Sequence, residues 1–359
     1  MSEGSVSGNV SVSEGGLHPV RAGVIGLGRS GWGIHCAYLS KAPEYELVAV
    51  VDPIEERRRE AIEKLGVRRA YATPEELFAD EEVELVVVAT PSHTHKELAI
   101  KALEAKKHVQ VEKPFALNVA EADEMIAAAQ ASGRILTCFQ NRRADPDFLK
   151  VRELIESGIL GRVFHIRIGN YQFNRRRDWQ TLVSMGGGML NNWGAHRLDQ
   201  ALILLEGSVE EFFCDLKQTV SAGDAEDHVK VCLKGKSGLV VDVEIFSACP
   251  IPQPTWTVIG ERGMIQGNNK KLTVQWYEEG ALPPIEADPG AVPDRSYERE
   301  NVPWKTEEVE VPPGDHREAI YKRLYATIRH GEPLFVTPES VRQQLALLDR
   351  CRATYVPGR

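Results

Sequence analysis

A glycine-rich segment near the start of the chain constrains the fold more than any other feature. An apolar run, residues 22–25, leads into three glycines spaced G-x-G-x-x-G and then into residues that can form a helix. A buried strand that ends in this pattern and opens a helix is typical of a Rossmann βαβ unit. Phosphates would lie at the helix N-terminus, where N–H groups and the helix dipole favour negative charge. The expected contacts of a dinucleotide in this turn are Gly26, Gly28, Arg29, Ser30 and Gly31.

The next predicted strand, residues 46–51, ends in Asp52. This carboxylate follows the glycines by about 20 residues, where an acidic side chain commonly binds the adenosine ribose. It would also repel the 2′-phosphate of NADP, so the sequence favours NAD as the cofactor and makes NADP the less favoured choice. Taken alone, Asp52 could instead cap the following helix. Arg57, on the first turn of that helix, is either a solvated side chain or a contact for the adenine.

Strand and helix patterns alternate as far as residue 139 and predict an NAD-binding Rossmann domain over residues 21–143. In such open α/β sheets the ligand lies beyond the carboxyl ends of the strands. Polar residues follow several of the predicted strands, which indicates a single site at this edge. The further cofactor contacts expected there are Thr90, Pro91, Ser92, His95, Glu112, Lys113 and Asn141.

Beyond about residue 145 the pattern changes to strands with few helices between them. This predicts an α+β second domain over residues 144–359, with a mainly antiparallel or mixed sheet. Residues 279–316, rich in Pro, Gly and acidic residues, are expected to be irregular. Helices are expected over 317–329 and 338–352, and the last helix is a candidate to pack back at the domain interface.

Length and composition restrict the class of protein. The 359 residues, 42% hydrophobic and 26% charged, suggest two globular domains, and a net charge of −9 argues against a nucleic-acid partner. No apolar run approaches the roughly 18 residues that span a membrane, so no membrane partner is expected. Residues 1–20 lack the features of a signal peptide and are expected to form a flexible tail. Six scattered cysteines indicate free thiols in a reducing compartment, so we expect a cytoplasmic protein.

Two residues are candidates for acid–base catalysis. Lys113 follows a buried strand, and near a nicotinamide it could hydrogen-bond a substrate hydroxyl, although most lysines at strand ends are only solvated. His196 lies on a predicted helix after three glycines, residues 186–188, which are expected to let the backbone approach a ligand. Asn192 and Asp199 share the helix face of His196. An imidazole there can accept a hydroxyl proton, although a lone helical histidine is more often structural.

The segment after the first long strand of the second domain carries candidate substrate contacts. Its basic run, residues 175–177, is either a solvated loop or a clamp for an oxygen-rich substrate, with Trp179 as a platform for a sugar ring. Three histidines lie near the cofactor loops (His35, His93 and His95), but no further ligand is clustered with them in the sequence, so no metal is expected. The expected substrate contacts are Lys113, Tyr171, Arg177, Trp179, Asn192 and His196.

With these motifs in order, the chain after residue 20 resembles the family of glucose–fructose oxidoreductase and inositol dehydrogenase, the Gfo/Idh/MocA oxidoreductases. The resemblance rests on GLGRSG (26–31), Asp52, ATPSHTH (89–95), HVQVEKP (108–114) and GGG…GAH…D (186–199). It implies a Rossmann domain followed by a domain with a large open sheet, which often forms the face of a homodimer or homotetramer. It also implies NAD(P)-dependent oxidation or reduction of a sugar, cyclitol or derivative, with Lys113 orienting the substrate and His196 as acid and base.

One departure from the family pattern affects the proton route. Dehydrogenases that the chain resembles often have Asp four residues before the histidine, and Asn192 stands there instead. An amide accepts no proton, but it can orient a substrate hydroxyl. His196 would then act with Lys113 alone, or with Asp199 behind it.

Three functions follow from the resemblance. The first is a dehydrogenase that acts on a small sugar-like substrate. The second is a redox-neutral hydrolase or epimerase that uses NAD transiently, which Asn192 keeps open. The third is a non-catalytic sugar sensor, against which the presence of Lys113 and His196 argues.

Overall fold

The computed structural model describes residues 18–287, 289–290 and 300–356, and within them the chain forms two β-sheets. The first sheet contains six strands, all parallel, in the order 3-2-1-4-5-6. Its strands are β1 (Val20–Ile25), β2 (Tyr45–Val51), β3 (Arg69–Tyr71), β4 (Leu85–Val88), β5 (His108–Val111) and β6 (Leu136–Cys138). This is the strand order of a Rossmann fold, so the predicted fold class of the N-terminal part is confirmed.

Helices connect these strands and cover both faces of the sheet, which is why every residue of β4 is fully buried. The glycine turn opens a π-helical segment, Gly31–Cys36, that continues into α1 (Ala37–Leu39). The other helices of this part are α2 (Glu55–Leu65), α3 (Pro74–Phe78), α4 (His95–Glu104) and α5 (Val119–Ser132). Because β1 and β4 are neighbours, the strand order reverses beside the glycine turn, where ligands of such sheets bind.

The second sheet contains eight strands in the order 14-13-12-11-7-10-9-8, and only the β7–β10 pair is parallel. The strands are β7 (Val163–Tyr171), β8 (Glu211–Lys217), β9 (His228–Lys234), β10 (Val240–Phe246), β11 (Trp256–Gly260), β12 (Gly263–Gly267), β13 (Lys271–Trp276) and β14 (Lys305–Glu310). The helices are α6 (Pro146–Glu156), α7 (Ala195–Leu204), α8 (His316–His330) and α9 (Pro338–Arg352). The predicted large, mainly antiparallel sheet is therefore confirmed.

Alternation along the strands gives this sheet two different faces. On β9, Val229, Val231 and Leu233 are fully buried, whereas the residues between them are half-buried. The second face, which we call the open face, carries a polar network that includes Lys230, with its ammonium 3.1 Å from Asp242. Such a strong alternation is typical of a sheet that packs on helices with one side only.

The last helix, α9, contacts residues from both halves of the chain. From α9, Arg342 forms an ion pair with Asp123 of α5, and Arg352 Nη1 donates to Asn191 Oδ1 at 2.7 Å. Just before α9, the Val336 carbonyl accepts a hydrogen bond of 2.8 Å from Thr137 of β6. The exact division of the chain at residues 143 and 144 remains a prediction.

Two expectations about irregular segments need correction. The segment 279–316 contains an edge strand, β14, and the prediction of an irregular course applies only to the rest of its described residues. Of the predicted tail, residues 1–20, the first 17 residues lie outside the described residues. Its end is ordered, because Val20 begins β1 and the carbonyls of His18 and Pro19 accept hydrogen bonds from Arg329. Among the helices in the described ranges, none has the length and apolar character that crossing a membrane requires.

Candidate functional site

The glycine turn after β1 has the shape that its spacing predicts. Gly26 has φ +93°, and a Cβ there would lie 2.8 Å from the carbonyl oxygen of Ala89 after β4. A Cβ on Gly31 would lie 1.7 Å from the Gly26 oxygen, so the helix can begin only with glycine at this position. At Gly28, in contrast, a Cβ would meet open space. A pyrophosphate therefore fits beside Gly28, next to the first N–H groups of the helix, which have no partners within a helix.

Asp52 joins the end of β2 to this turn. Its carboxylate is buried and accepts the N–H of Leu27 at 2.8 Å and that of Ile54 at 3.0 Å. Arg57, half-exposed, places Nη1 3.3 Å from the same carboxylate. Asp52 thus stabilises the turn itself through hydrogen bonds to both of its carboxylate oxygens. Through Ile54 the same carboxylate also supports the start of α2, so the capping role that the sequence offered is present.

His95 connects the segments that follow β4 and β5. Its Nδ1 lies 2.8 Å from the Pro114 carbonyl oxygen, and its Nε2 lies 3.0 Å from that of Thr90. Burial lowers the pKa of this imidazole below its ordinary value. The ring is almost fully buried and both nitrogens face backbone oxygens. His95 therefore links the segment after β4 to the segment after β5. Of the other predicted contacts after β4, Pro91 is exposed and Ser92 half-buried.

Glu112 hydrogen-bonds His35 and the backbone of Lys113. Its carboxylate lies 3.1 Å from His35 Nε2 and accepts the Lys113 backbone N–H at 2.9 Å. On the other side of the imidazole, His35 Nδ1 lies 2.7 Å from the hydroxyl of Tyr321 on α8. Burial acts to raise the pKa of Glu112, but these hydrogen bonds keep the pKa below its ordinary value. The carboxylate therefore stays ionised while the Lys113 ammonium is left to other partners.

The Lys113 side chain crosses to the segment that carries His196. Its Nζ donates to the backbone oxygen of Asn192 at 3.3 Å and to the side-chain Oδ1 of Asn192 at 3.4 Å. The Lys113–Pro114 peptide bond is cis. Burial lowers the pKa of Lys113, and the nearby Glu112 carboxylate only partly opposes this. The structure thus brings together two predicted site residues that are 79 positions apart.

His196 is buried, and its tautomer follows from its neighbours. Gln140, directly after Phe139, donates from Nε2 to the Ala195 carbonyl at 3.5 Å, which directs its Oε1 at His196 Nδ1 at 3.2 Å. Because Oε1 can only accept, Nδ1 carries the proton and Nε2 keeps its lone pair. Burial, with the positive charge of Lys113, lowers the pKa of His196 well below its ordinary value. The imidazole is therefore a neutral base at neutral pH.

Asp199 does not lie behind His196, contrary to one of the two proton routes considered above. Its carboxylate accepts two hydrogen bonds from Arg143, at 2.6 and 2.7 Å, in a buried bidentate pair. The helical phase also differs from the prediction, because residues 190–194 are π-helical and only Ala195–Leu204 is α-helical. The pair instead joins α7 to the turn after β6.

Two of the three glycines before this helix, Gly187 and Gly188, lie close to other parts of the protein, whereas a Cβ on Gly186 would meet nothing within 4 Å. A Cβ on Gly187 would lie 2.5 Å from the backbone oxygen of Gln180. A Cβ on Gly188, where φ is +104°, would lie 2.1 Å from a carboxylate oxygen of Glu226. Gly187 and Gly188 thus allow this loop to pack closely against the loop at residue 180 and against Glu226 of the second domain.

The predicted substrate contacts divide into two groups. Trp179 and Arg177 are exposed, and the neighbouring Gln180 accepts from Asn192 Nδ2 at 3.4 Å, so this loop adjoins the site. Tyr171 lies on the open face of the second sheet, where its hydroxyl donates to Glu244. The structure therefore does not bring Tyr171 to Lys113 and His196. Among the expected cofactor contacts, Asn141 is buried in the turn after β6.

Several contacts of the site were not predicted. Gln140 follows a strand of the first sheet, as the predicted cofactor contacts do. Its hydrogen bond with His196 could not be predicted, because the two residues are 56 positions apart. Arg143 and Glu226 had no signal, because a charged residue is expected at the surface and both are buried. Within the described residues, no group of three His, Cys, Asp or Glu side chains could bind a metal ion.

Comparison with known proteins agrees with this geometry. Residues 20–140 match the oxidoreductase family with an NAD-binding Rossmann fold, and residues 148–266 match the GFO/IDH/MocA C-terminal domain. The chain is 37% identical over 265 residues to myo-inositol 2-dehydrogenase of Thermotoga maritima, covering 71% of this chain and 77% of the relative. It is 31% identical to scyllo-inositol 2-dehydrogenase (NADP(+)) of Bacillus subtilis, covering 52% and 51% of the two chains.

Solved structures extend the similarity to both sheets. The NAD-binding protein from Listeria innocua superposes with a TM-score of 0.80 at 28% identity, covering 94% of this chain and 97% of that protein. The glycine turn, the Lys113 and His196 segments and the open sheet lie within this shared architecture. The protein is therefore a member of the Gfo/Idh/MocA family of oxidoreductases.

Proposed function

We propose that the protein transfers a hydride between a nicotinamide cofactor and a hydroxyl-bearing carbon of a sugar, cyclitol or sugar derivative. The observation that carries the proposal is the pairing of two groups at the end of the first sheet. Lys113 presents an ammonium beside Asn192, and His196 presents a neutral imidazole with its Nε2 lone pair unprotonated. These are the donor and the base that oxidation of an alcohol requires.

Each group has a distinct task in the oxidation direction. A dinucleotide held by the glycine turn and Asp52 would supply the nicotinamide as hydride acceptor. Lys113 Nζ donates a hydrogen bond to the reacting hydroxyl oxygen, and His196 Nε2 accepts the hydroxyl proton. Asn192 and Gln180, which contact each other at 3.4 Å, orient neighbouring hydroxyls of the substrate. In the reduction direction His196 returns the proton to the oxygen.

A cyclitol is the substrate class that we favour. Two relatives are named inositol dehydrogenases, and the T. maritima relative matches 71% of this chain. The amides of Asn192 and Gln180 and the imidazole of His196 support this choice, because they can hydrogen-bond a ring with several hydroxyls.

The proposed cofactor is NAD. The buried Asp52 carboxylate would accept hydrogen bonds from the ribose hydroxyls and repel a 2′-phosphate. Arg57 acts in the opposite sense, since its guanidinium at 3.3 Å partly neutralises Asp52. NADP is the alternative, and one relative carries NADP(+) in its name.

Turnover of purified protein with a panel of cyclitols, sugars and sugar acids tests the proposal. We expect reduced cofactor to accumulate with NAD and at least one cyclitol, faster than with NADP. Lys113→Ala and His196→Ala should each lower kcat/KM by about a hundredfold or more, because each removes one partner of proton transfer. Cofactor affinity, measured by fluorescence titration, serves as the control. Near-normal turnover in both variants would exclude these roles.

A redox-neutral reaction is the second candidate, and Asn192 favours it. With no carboxylate at this position, the site differs from that of the dehydrogenases that the chain resembles. An epimerase or glycoside hydrolase would bind NAD and release product without net reduction. Product analysis of incubations that show cofactor binding but no reduced cofactor distinguishes the two.

A further inference from the structure

Glu226 is a buried acid that the proposed reaction does not use. It precedes β9, and its side chain lies under the triple-glycine loop, with 6% of the residue exposed. Its Oε1 accepts the backbone N–H of Leu190 at 2.9 Å. Its own backbone oxygen accepts the N–H of Met189 at 2.9 Å. One residue from the second sheet thus binds two successive N–H groups at the start of the helical segment that carries the site.

This contact explains the last of the three glycines. The carboxylate fills the space that a side chain at residue 188 would occupy, since a Cβ there would lie 2.1 Å from Oε1. The Gly188 oxygen in turn accepts the Asn192 N–H at 3.1 Å. The position of Asn192, and with it the partner of Lys113, therefore depends on how the loop lies against Glu226.

We propose that Glu226 is a positioning residue, which fixes Asn192 and His196 relative to Lys113 by binding the start of their helix. The inference rests on the proposed function for its kinetic test. The negative charge suits this place because the first N–H groups of a helix and the helix dipole favour an anion. Hydrogen bonds to a charged acceptor are also shorter and stronger than those to a neutral one.

The surroundings of Glu226 make its charge dependent on pH near neutrality. Burial raises its pKa to about 7, while the Leu190 N–H and Arg352 of α9 act to lower it and Asp227 acts to raise it. Tyr355 and Cys214 also lie in its field. His196 is already neutral in this range, because its pKa is well below the ordinary value. Asp145, whose pKa burial raises to about 6, is another buried acid that titrates in this range. An ionisation in the kcat profile that disappears in Glu226→Gln would therefore belong to Glu226.

Ionisation of Glu226 is expected to act in opposite directions on stability and on activity. It lowers the stability of the fold but raises the activity. An acid whose pKa is raised by folding binds more protons in the folded state, so its contribution to stability falls from its ordinary pKa up to about 7 and stays low above. Glu226→Gln keeps a neutral acceptor for Leu190 and removes the buried charge. The variant should be at least as stable as the wild type above neutral pH, although its helix start is bound less tightly.

The test compares Glu226→Gln with the wild type between about pH 5.5 and 9. We expect wild-type kcat to rise through about pH 7, and the variant to lack this rise and to fall about tenfold below the wild type at the alkaline end. KM and cofactor affinity should change less than about threefold. Glu210→Gln, on an exposed residue of the same domain, is the matched control. Glu226→Asp keeps the charge and should keep the pH dependence with a lower kcat.

Hydrogen–deuterium exchange supplies a readout that is independent of turnover. Amides of residues 189–196 should exchange about tenfold faster in Glu226→Gln than in the wild type above neutral pH, and those of β4 should not change. If the wild type oxidises no alcohol but exchange accelerates, the proposed function fails and the positioning role stands. If kcat, its pH profile and exchange all match the wild type, the positioning role is wrong.

Discussion

At residue 192 an amide, not a carboxylate, faces the ammonium of Lys113, with Oδ1 3.4 Å from Nζ. The amide offers an acceptor without a full charge, so it does little to offset the effect of burial, which lowers the pKa of Lys113. In the proposed reaction Lys113 must remain protonated in order to donate to the substrate oxygen. In that reaction, the residue at position 192 would therefore affect how far into the alkaline range activity extends.

Asn192→Asp tests this relation. A carboxylate at the same distance favours the ammonium and should raise the pKa of Lys113, so the alkaline limb of the kcat/KM profile should move up by roughly one pH unit or more. The profile is measured with the best cyclitol and saturating cofactor. Asn269→Asp, an exposed residue between β12 and β13, is the matched control. An unmoved alkaline limb would mean that Lys113 is not the group that titrates there.

The residues that sequence predicts and those that it misses differ in a physical sense. Asp52 directly follows β2, and Lys113 lies two residues beyond β5. Strand ends in a parallel sheet converge on one edge, so the neighbourhood of both residues is predictable. Glu226 and Gln140 act through contacts with backbone and side chains far along the chain. No local pattern marks a carboxylate that binds a helix start 36 residues away.

At the scale of secondary structure, α7 is joined to the first sheet by the buried pair of Arg143 and Asp199. Both side chains are almost fully buried, so each depends on the other for charge compensation. This pair, together with Gln140, places His196 beside the ends of the first sheet.

Asp199→Asn should strongly destabilise the protein, because it leaves the Arg143 guanidinium buried without a counter-charge. We expect a loss of about 3–5 kcal/mol in the free energy of unfolding, measured by urea denaturation. Glu60→Gln, which removes one partner of the exposed pair with Lys64, should leave the unfolding midpoint nearly unchanged. Equal midpoints for Asp199→Asn and the wild type would show that the pair contributes nothing to stability.

Helices and buried strands were predicted well because their signals are local. Gly66 ends α2 in a left-handed conformation with φ 67°, and Thr73 forms a capping box at α3, as their residue types indicate. Three strands were missed. One is the three-residue β3, and the other two lack an apolar strand pattern. β12 begins and ends with glycine, so it resembles a turn, and β14 is a charged edge strand whose residues are mostly exposed.

At the scale of the whole molecule, helices of the second half return to the first sheet. Tyr321 of α8 contacts His35, which contacts Glu112 beside the candidate site, and α9 lies against α5. These contacts link positions between 77 and 286 residues apart in the sequence, which is why they could not be predicted from local patterns. Both halves of the chain therefore contribute to the candidate site, with Lys113 after β5 and His196 on α7.

We propose that a second copy of the chain covers the open face of the large sheet. Half-buried residues such as Ile259 and Met264 lie on this face among the charged ones, a composition that suits an interface. Ile259 belongs to β11, one of the two central strands. Ile259→Lys should convert a dimer into a monomer by light scattering, whereas Glu60→Gln should not. A wild type that is monomeric at micromolar concentration would contradict the proposal.

Transfer of deuterium from a cyclitol carbon to the nicotinamide tests the central claim most directly. The protein is incubated with NAD and myo-inositol deuterated at the carbon that bears the reacting hydroxyl, and both products are analysed by mass spectrometry. The proposed function predicts deuterium in the reduced cofactor and a ketone in the cyclitol, with both lost in His196→Ala. Deuterium that stays in, or returns to, the cyclitol-derived product without net reduced cofactor would contradict it.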